Sequence, residues 1–403
     1  MINKKLLTLL VLPFMIVGCT KGGGNKPDPI DPTKPFELIP QVGEVRLLFS
    51  VGEAGETRIY NYCPSVFNEN NVQHVYYCTN EIEGNVTDFV GYRKGVVANN
   101  KMSFTENDLV VSHGAAGSWD YRHACDPSVI KGEFKFHNET YNYLMAYLGC
   151  VPSDCTLNET GIAVSKTPEG PWVKCDYKLD GEIKINPIVP YADFSMNDNS
   201  WGTGQPSLVS VDGKGRVLLF TTVGASNGTF TNVREYDFSD IDNYQKIRER
   251  TKILETGIRY NGQGGGFINN ADFAYDETTR RFLMVKGRQF FGKDNISPNF
   301  IADTLDVYYI DDTEGTNIGD IFFAGNNTNK QWKLIDSIDE SKTGFLRNHN
   351  SGLITDPYGH YKGEDRIGVA FTRSDKGEST NWSYLSTYRI YATSVAFPEN
   401  YYN

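Results

Sequence analysis

Apolar residues in this chain come in short β-branched and aromatic runs, broken by Asn, Asp, Gly and Pro. VQHVYYC, YNYLMAYLG, RVLLFTTV, RRFLMVKGRQ and DRIGVAFTR are five such runs. Helical periodicity is nearly absent, so each run predicts a strand. Before them stand five related motifs: NYCPSVF (61–67), ACDPSVI (124–130), GQPSLVSVD (204–212), NNADFAYD (269–276) and NHNSGLITD (348–356). They recur about 63 to 80 residues apart, a spacing that signals a repeat architecture. Third runs follow (TGIAVSKT, NVREYDF, DTLDVYYID, TYRIYATSV), and some repeats have a fourth, such as NDLVVS and KQWKLID. Four short strands per repeat describe the blade of a β-propeller, and five blades fit the length; a β-sandwich or a two-domain β protein is the other way to bury such strands. GEVRLLFSVG, near the N-terminus, has no repeat of its own. It is expected to supply the outer strand of the last blade and close the ring, removing exposed sheet edges.

The first residues change the compartment. MINKKLLTLLVLPFMIVGC pairs two lysines with an apolar run too short to span a bilayer, then IVGC. Residues 1–19 read as a lipoprotein signal peptide with Cys19 as the lipidated residue. Residues 20–35, rich in Gly, Pro and Lys, read as a flexible tether. The propeller domain is expected over 36–403. The expected location is the outer membrane of a bacterium, with the membrane reached through the lipid. A net charge of -11 excludes the basic footprint that nucleic acid requires.

Six cysteines remain after Cys19. Cys63 and Cys78 flank the turn NENN, and Cys125 and Cys150 flank HNET; each pair could bridge across a hairpin or stay as buried thiols. No CxxC pairing or HExxH helix points to zinc, GQGGG at 262–266 lacks the lysine and helix of a phosphate loop, and there is no nucleophile elbow.

In a propeller the innermost strands line a channel, and the residues that open them share one rim. That brings together Cys63, Asp126, Gln205, Asn270 with Asp272, and His349 with Asn350. Proline belongs at a strand's first residue or on an edge, so Pro127 is read as opening a strand with Asp126 at its mouth. The sequence from DPSVI through TGIAVSKTPEGPW resembles the five-bladed propeller glycoside hydrolases, the group around families 43, 32 and 117. The resemblance implies hydrolysis of a poly- or oligosaccharide by a pair of carboxyl groups, with Asp126 as base and Asp272, two blades on, tuning the acid and orienting the sugar. The acid of that pattern opens the next blade, where this chain reads NHNSG and has no carboxylate. Glu159, in a loop entering a third strand, and His349 are the candidates for the vacancy. Asp120, Arg122, His123, Trp201, Gln205, Asn270, Arg288, His349 and Asn350 are expected to bind substrate, Trp201 and Trp119 by stacking on sugar faces or by packing in the core. No metal ligand set is assigned and no cofactor is required; the channel leaves room for a cation such as calcium. The alternative is a glycan-binding propeller that does no chemistry.

Overall fold

The computed structural model describes residues 35–49, 60–81, 86–105, 108–151, 157–176, 178–179, 183–191, 201–225, 228–259, 268–288, 301–313, 315–323, 330–374 and 383–402. The signal peptide, Cys19, nearly all of the tether and the GQGGG segment lie outside them.

Five antiparallel meanders follow one another along the chain. The first runs Asn61–Glu69, Val72–Asn80 and Asp88–Ala98, with Lys101–Phe104 and Asp108–Val111 both pairing on the third strand. The second is His123–Phe136, Glu139–Cys150, Glu159–Ser165 and Val173–Lys174. The third is Gly202–Ser210, Arg216–Ala225, Gly228–Asp237 and Gln245–Lys252. The fourth is Asp272–Asp276, Arg281–Gly287, Leu305–Asp311 and Lys333–Ile338. The fifth comprises Arg347–Thr355, Arg366–Ser374 and Arg389–Ala396, and its outer edge is filled by Arg46–Leu47, paired with Ala392 and Tyr391. The N-terminal strand therefore closes the last meander, as its sequence predicts.

Local sequence sets the hairpins. Asn70–Asn71 and His137–Asn138 link first strand to second in the first two meanders, all four with positive φ. Two-residue loops of that conformation match the twist of paired strands, and asparagine tolerates it better than most residues.

Both faces of the central strands are buried, which is why runs such as VLLF are apolar without alternation. Val217 and Leu219 point into a layer shared with Ile130, Leu144 and Ile162 of the second meander. Leu218 and Phe220 point the other way, against Phe273, Phe282 and Met284 of the fourth. Similar layers join the fourth to the fifth, the first to the second and the fifth to the first. The layers make a closed circle.

A second circle runs inside the first. Ser65 Oγ accepts the amide of Val129 (3.3 Å), Ser128 Oγ that of Leu208 (2.9 Å), and Ser207 Oγ that of Phe273 (2.9 Å). Asp272 Oδ2 accepts the amide of Leu353 (2.8 Å). These acceptors occupy the same place in four successive motifs, and each ties its inner strand to the next. The fifth place is Gly352, where a Cβ would stand 2.3 Å from the carbonyl oxygen of Pro64. Here the strands pair directly and in parallel, Val66 with Ile354 and Phe67 with Thr355.

The disulfide is not within a hairpin. Cys78 bridges Cys125, joining the first meander to the second. Strand register explains why the pairings across the turns fail. Cys78 faces Tyr62 rather than Cys63, while Cys125 faces Leu148 and Cys150 faces His123. Among the described residues, Cys63 and Cys175 are free thiols.

Gly352→Ala tests the closed seam. Its added methyl has backbone on one side and no room to move, so we expect a loss of about 1–3 kcal/mol, the usual range for overpacking. Urea unfolding of the variant beside wild type measures it, and an unchanged midpoint would show that the seam yields.

Candidate active site

Each of the five motifs contains one residue in the left-handed region, always at the same place. Cys63, Asp126, Gln205, Asn270 and Asn350 have φ of 49°, 47°, 48°, 45° and 39°. Apart from glycine, asparagine and aspartate visit this region most readily, so the conformation costs on the order of 1–3 kcal/mol at a residue such as Cys63 or Gln205. Three of the five also precede proline, which narrows their choices further. At these residues the pairing of inner strand to second strand slips in four meanders, between Tyr62 and Ser65, Cys125 and Ser128, Gly204 and Ser207, and His349 and Ser351. In the fourth meander the strand starts at Asp272, just after the motif's Asn270–Ala271.

This corrects the reading of Pro127. It does not open its strand, which begins upstream at His123. Pro127 sits at a bulge, the other place where a missing N–H is harmless.

The five left-handed residues converge on one cavity. Its lining is Cys63–Ser65, Asp126–Pro127, Gln205–Pro206, Asn270–Asp272 and Asn350–Ser351. The rim predicted from the motifs thus exists, with His349 one residue outside it. Around the cavity Asn270 Oδ1, Asn350 Oδ1 and Ser351 Oγ are buried atoms with no hydrogen-bond partner among the described residues. Buried polar atoms are nearly always paired, so these three point to a hydroxylated ligand or to ordered water. Gln205 is less free, because its Oε1 accepts the amide of Asn270 at 3.0 Å.

Asp126 is 9% exposed and lies against the disulfide, its Oδ1 3.3 Å from Cys125 Sγ and 3.7 Å from Cys78 Sγ. Bridged sulfurs carry no proton, so these are contacts. The Asp126 amide does donate, to Cys78 Sγ at 2.8 Å. The Cys63 thiol is held well above its ordinary range by burial, then by the Asp126 charge and a hydrogen bond to that carboxylate.

Asp272 lies across the same cavity in a different setting. Its Oδ1 accepts the Ser207 hydroxyl at 2.6 Å and its Oδ2 the Leu353 amide. Burial nevertheless outweighs these bonds and pushes its pKa up to about 6.

Other expected site residues face elsewhere. Glu159 does not line the cavity; its Oε1 accepts the Tyr191 amide at 2.8 Å. His349 is buried, its Nδ1 accepts the Ala302 amide at 3.2 Å, and burial followed by the charge of Arg347 lowers its pKa to about 3. A ring held neutral in this way lacks the imidazolium proton that a general acid would give at neutral pH. His123 Nδ1 lies 2.7 Å from Asp88 Oδ2, in a pair that also takes the Tyr60 hydroxyl. Asp120 is fully buried against Lys174 and Tyr147. Arg122 reaches the Val86 carbonyl at 3.4 Å. Arg288 grips Asp306 with two bonds, of 3.0 and 2.6 Å. Trp119 packs on Tyr147 in the core, whereas Trp201 stays partly exposed beside Cys63, Tyr62 and the disulfide. Of these, Trp201 alone borders the site.

Sequence reasoning missed Ser351, the Tyr62 hydroxyl 3.0 Å from Cys125 Sγ, and the serine circle. The Pro-Ser pair shared by three motifs is the signal that could have found the circle.

No family model matches this chain, and no curated protein does. Solved structures do resemble it. An α-L-arabinofuranosidase from Podospora anserina, solved with cellotriose, is 10% identical with a TM-score of 0.52, over 89% of this chain and 99% of its own. A family 117 glycoside hydrolase of the marine bacterium Zobellia galactanivorans is 11% identical with a TM-score of 0.50, over 87% and 89%. A family 62 hydrolase solved with xylotriose is 11% identical with a TM-score of 0.51, over 87% and 95%. The fold is their β-propeller. At these identities the likeness reaches no further than fold. The cavity is the mouth of the propeller's central channel, ringed by the five left-handed residues.

The raised pKa of Asp272 has a definite sign. The folded propeller holds a proton that the unfolded chain releases near pH 3.9. The stability this contributes is complete below that value and is lost as pH rises through about 6. Wild type should therefore lose on the order of 1–3 kcal/mol relative to Asp272→Asn between pH 4 and pH 6.5. Paired urea titrations across that range measure it, and parallel curves would place the proton elsewhere.

Proposed function

We propose that this propeller is a glycoside hydrolase acting on a poly- or oligosaccharide from an exported, lipid-anchored position. The carrying observation is the convergence of Asp126, Asp272 and three unpaired buried oxygens on one cavity. Glycosidic hydrolysis needs two carboxyl groups that differ in protonation, and two groups whose environments differ are the usual way to obtain them. Asp272, raised to about 6 by burial, is a carboxyl that keeps its proton toward neutrality. Asp126 takes the role of base, drawing a proton from the water that attacks the anomeric carbon. Asp272 then takes the place that sequence reasoning gave to Glu159 or His349 and supplies the proton to the leaving oxygen. Its bond to Ser207 Oγ allows this, since a protonated Oδ1 and the hydroxyl can exchange donor and acceptor roles.

Asn270, Asn350 and Ser351 would take the sugar hydroxyls and Trp201 would offer a ring face to the sugar. A hard cation on the channel axis would meet the oxygens of Asn270, Asn350 and Asp126, fewer than the six to eight that calcium takes, so water or sugar oxygens would complete its shell. The folds in hand belong to enzymes named for arabinofuranosides or solved with cellotriose and xylotriose. Arabinan- and xylan-type polysaccharides are therefore the first substrates to try.

Release of reducing sugar from such a panel should be seen with wild type and fall by a factor on the order of 10²–10⁴ with Asp126→Asn, the share that general-base catalysis supplies. Thermal unfolding should change little. Equal turnover by wild type and variant would end the assignment of Asp126. Glycan binding without any turnover would identify a binding module instead.

The anchor is tested separately. Cys19→Ser should remove the protein from the membrane fraction, because a lipid on Cys19 is the anchor that the sequence offers. Wild type found fully soluble with its tether intact would remove the lipoprotein reading.

A further inference from the structure

Three sulfurs and a carboxylate meet at the mouth of the channel. The ligand atoms of Cys63, Cys78 and Asp126 all lie within 4.8 Å of one another. Cys125, the disulfide partner of Cys78, adds a third sulfur, 3.3 Å from Asp126 Oδ1. A tetrahedral zinc ion with bonds of about 2.3 Å to sulfur and about 2.0 Å to oxygen has ligand edges of about 3.5–3.8 Å. The two sulfur-to-carboxylate separations, 3.3 and 3.7 Å, already fall close to such edges. We infer that, once the Cys78–Cys125 bridge is reduced, Cys63, Cys78, Cys125 and Asp126 form a closed four-ligand site for zinc.

The surroundings suit a bound thiolate. The Asp126 amide already points at Cys78 Sγ (2.8 Å), and the Tyr62 hydroxyl lies 3.0 Å from Cys125 Sγ, where it donates. Such outer-shell donors hold metal-bound sulfur in place. Cys63 is half-buried and lines the cavity, so an ion can arrive through the channel mouth. The other described cysteines stand apart: Cys175 packs between the second and third meanders, and Cys150 lies opposite His123 at the end of its strand.

The chemistry balances in two steps. A dithiol reductant gives two electrons and two protons to the bridge, leaving Cys78 and Cys125 as thiols, and closes to its own cyclic disulfide. Zinc then displaces three thiol protons and takes Asp126 as carboxylate, leaving a site of net charge -2. In the oxidised protein only Cys63 and Asp126 remain as ligands, too few for a structural zinc. Because Asp126 is shared, zinc withdraws it from water activation. The metal count needs no glycan, so this inference and the hydrolase proposal fail independently.

The test uses the full chain, reduced with dithiothreitol, desalted without air and titrated with zinc, with cobalt(II) as a spectroscopic substitute. The reduced protein should bind one zinc per chain, by native mass spectrometry, and cobalt should show the intense absorption of a tetrahedral thiolate complex; the oxidised protein should do neither. Cys63→Ser should weaken zinc by more than the 10–100-fold that loss of an outer-shell partner costs. Asp126→Asn, which leaves every thiol in place, should weaken it at least 10-fold. The Cys150→Ser, Cys175→Ser double variant should bind as wild type does. No zinc in the reduced protein, unaltered affinity in Cys63→Ser or Asp126→Asn, or binding that accompanies loss of the β circular dichroism would each overturn the site.

Discussion

The structure depends on one contact made four times: a short side chain on one inner strand accepts the backbone amide of the next. Layers of apolar side chains give the propeller most of its burial, but apolar attraction has no direction of its own. The amide bonds of Val129, Leu208, Phe273 and Leu353 do have one. Each fixes its inner strand against the next to within a hydrogen bond's tolerance. At the last junction glycine removes the side chain, and strand pairs with strand instead.

That register is what makes a site of the channel mouth. The left-handed residue stands two positions before each acceptor, so fixing the acceptors fixes the five side chains that face the cavity. The strain at Cys63, Asp126 and Gln205 is held by the pairing on either side of each bulge. The fourth acceptor has a double character. Asp272 does structurally what serine does in three other meanders, yet it also brings a titratable group to the cavity wall.

Much of this was legible in the chain. Runs such as RVLLFTTV gave strands in their observed places, the five motifs marked the inner strands, and GEVRLLFSVG closed the last meander. Resemblance to propeller hydrolases reached the right fold, and the cavity gathers Asp126, Gln205, Asn270, Asp272 and Asn350 as the motifs implied. Three kinds of information were out of reach. Proline marks a missing N–H, and only register shows that Pro127 sits at a bulge within its strand. Pairing of Cys78 with Cys125 depends on two meanders meeting, which spacing within either hairpin does not encode. The direction of a polar side chain is set by its neighbours. Asp120, His123 and Arg288 turn toward Lys174, Asp88 and Arg288's own partner Asp306, and no local pattern around them says so.

The five left-handed residues also make the channel mouth a set of interchangeable sockets. Each presents its side chain from the same backbone shape, with the stitching done two residues further on. Apart from Asp272, which does both, and Gln205, which also holds the Asn270 amide, what these places display is separable from what holds the propeller together. Cysteine, aspartate, glutamine and two asparagines spell one message in a five-letter word. Asparagine, aspartate or glycine fits any of the five places at little conformational expense. Recognition can then be rewritten one letter at a time on a frame that does not move.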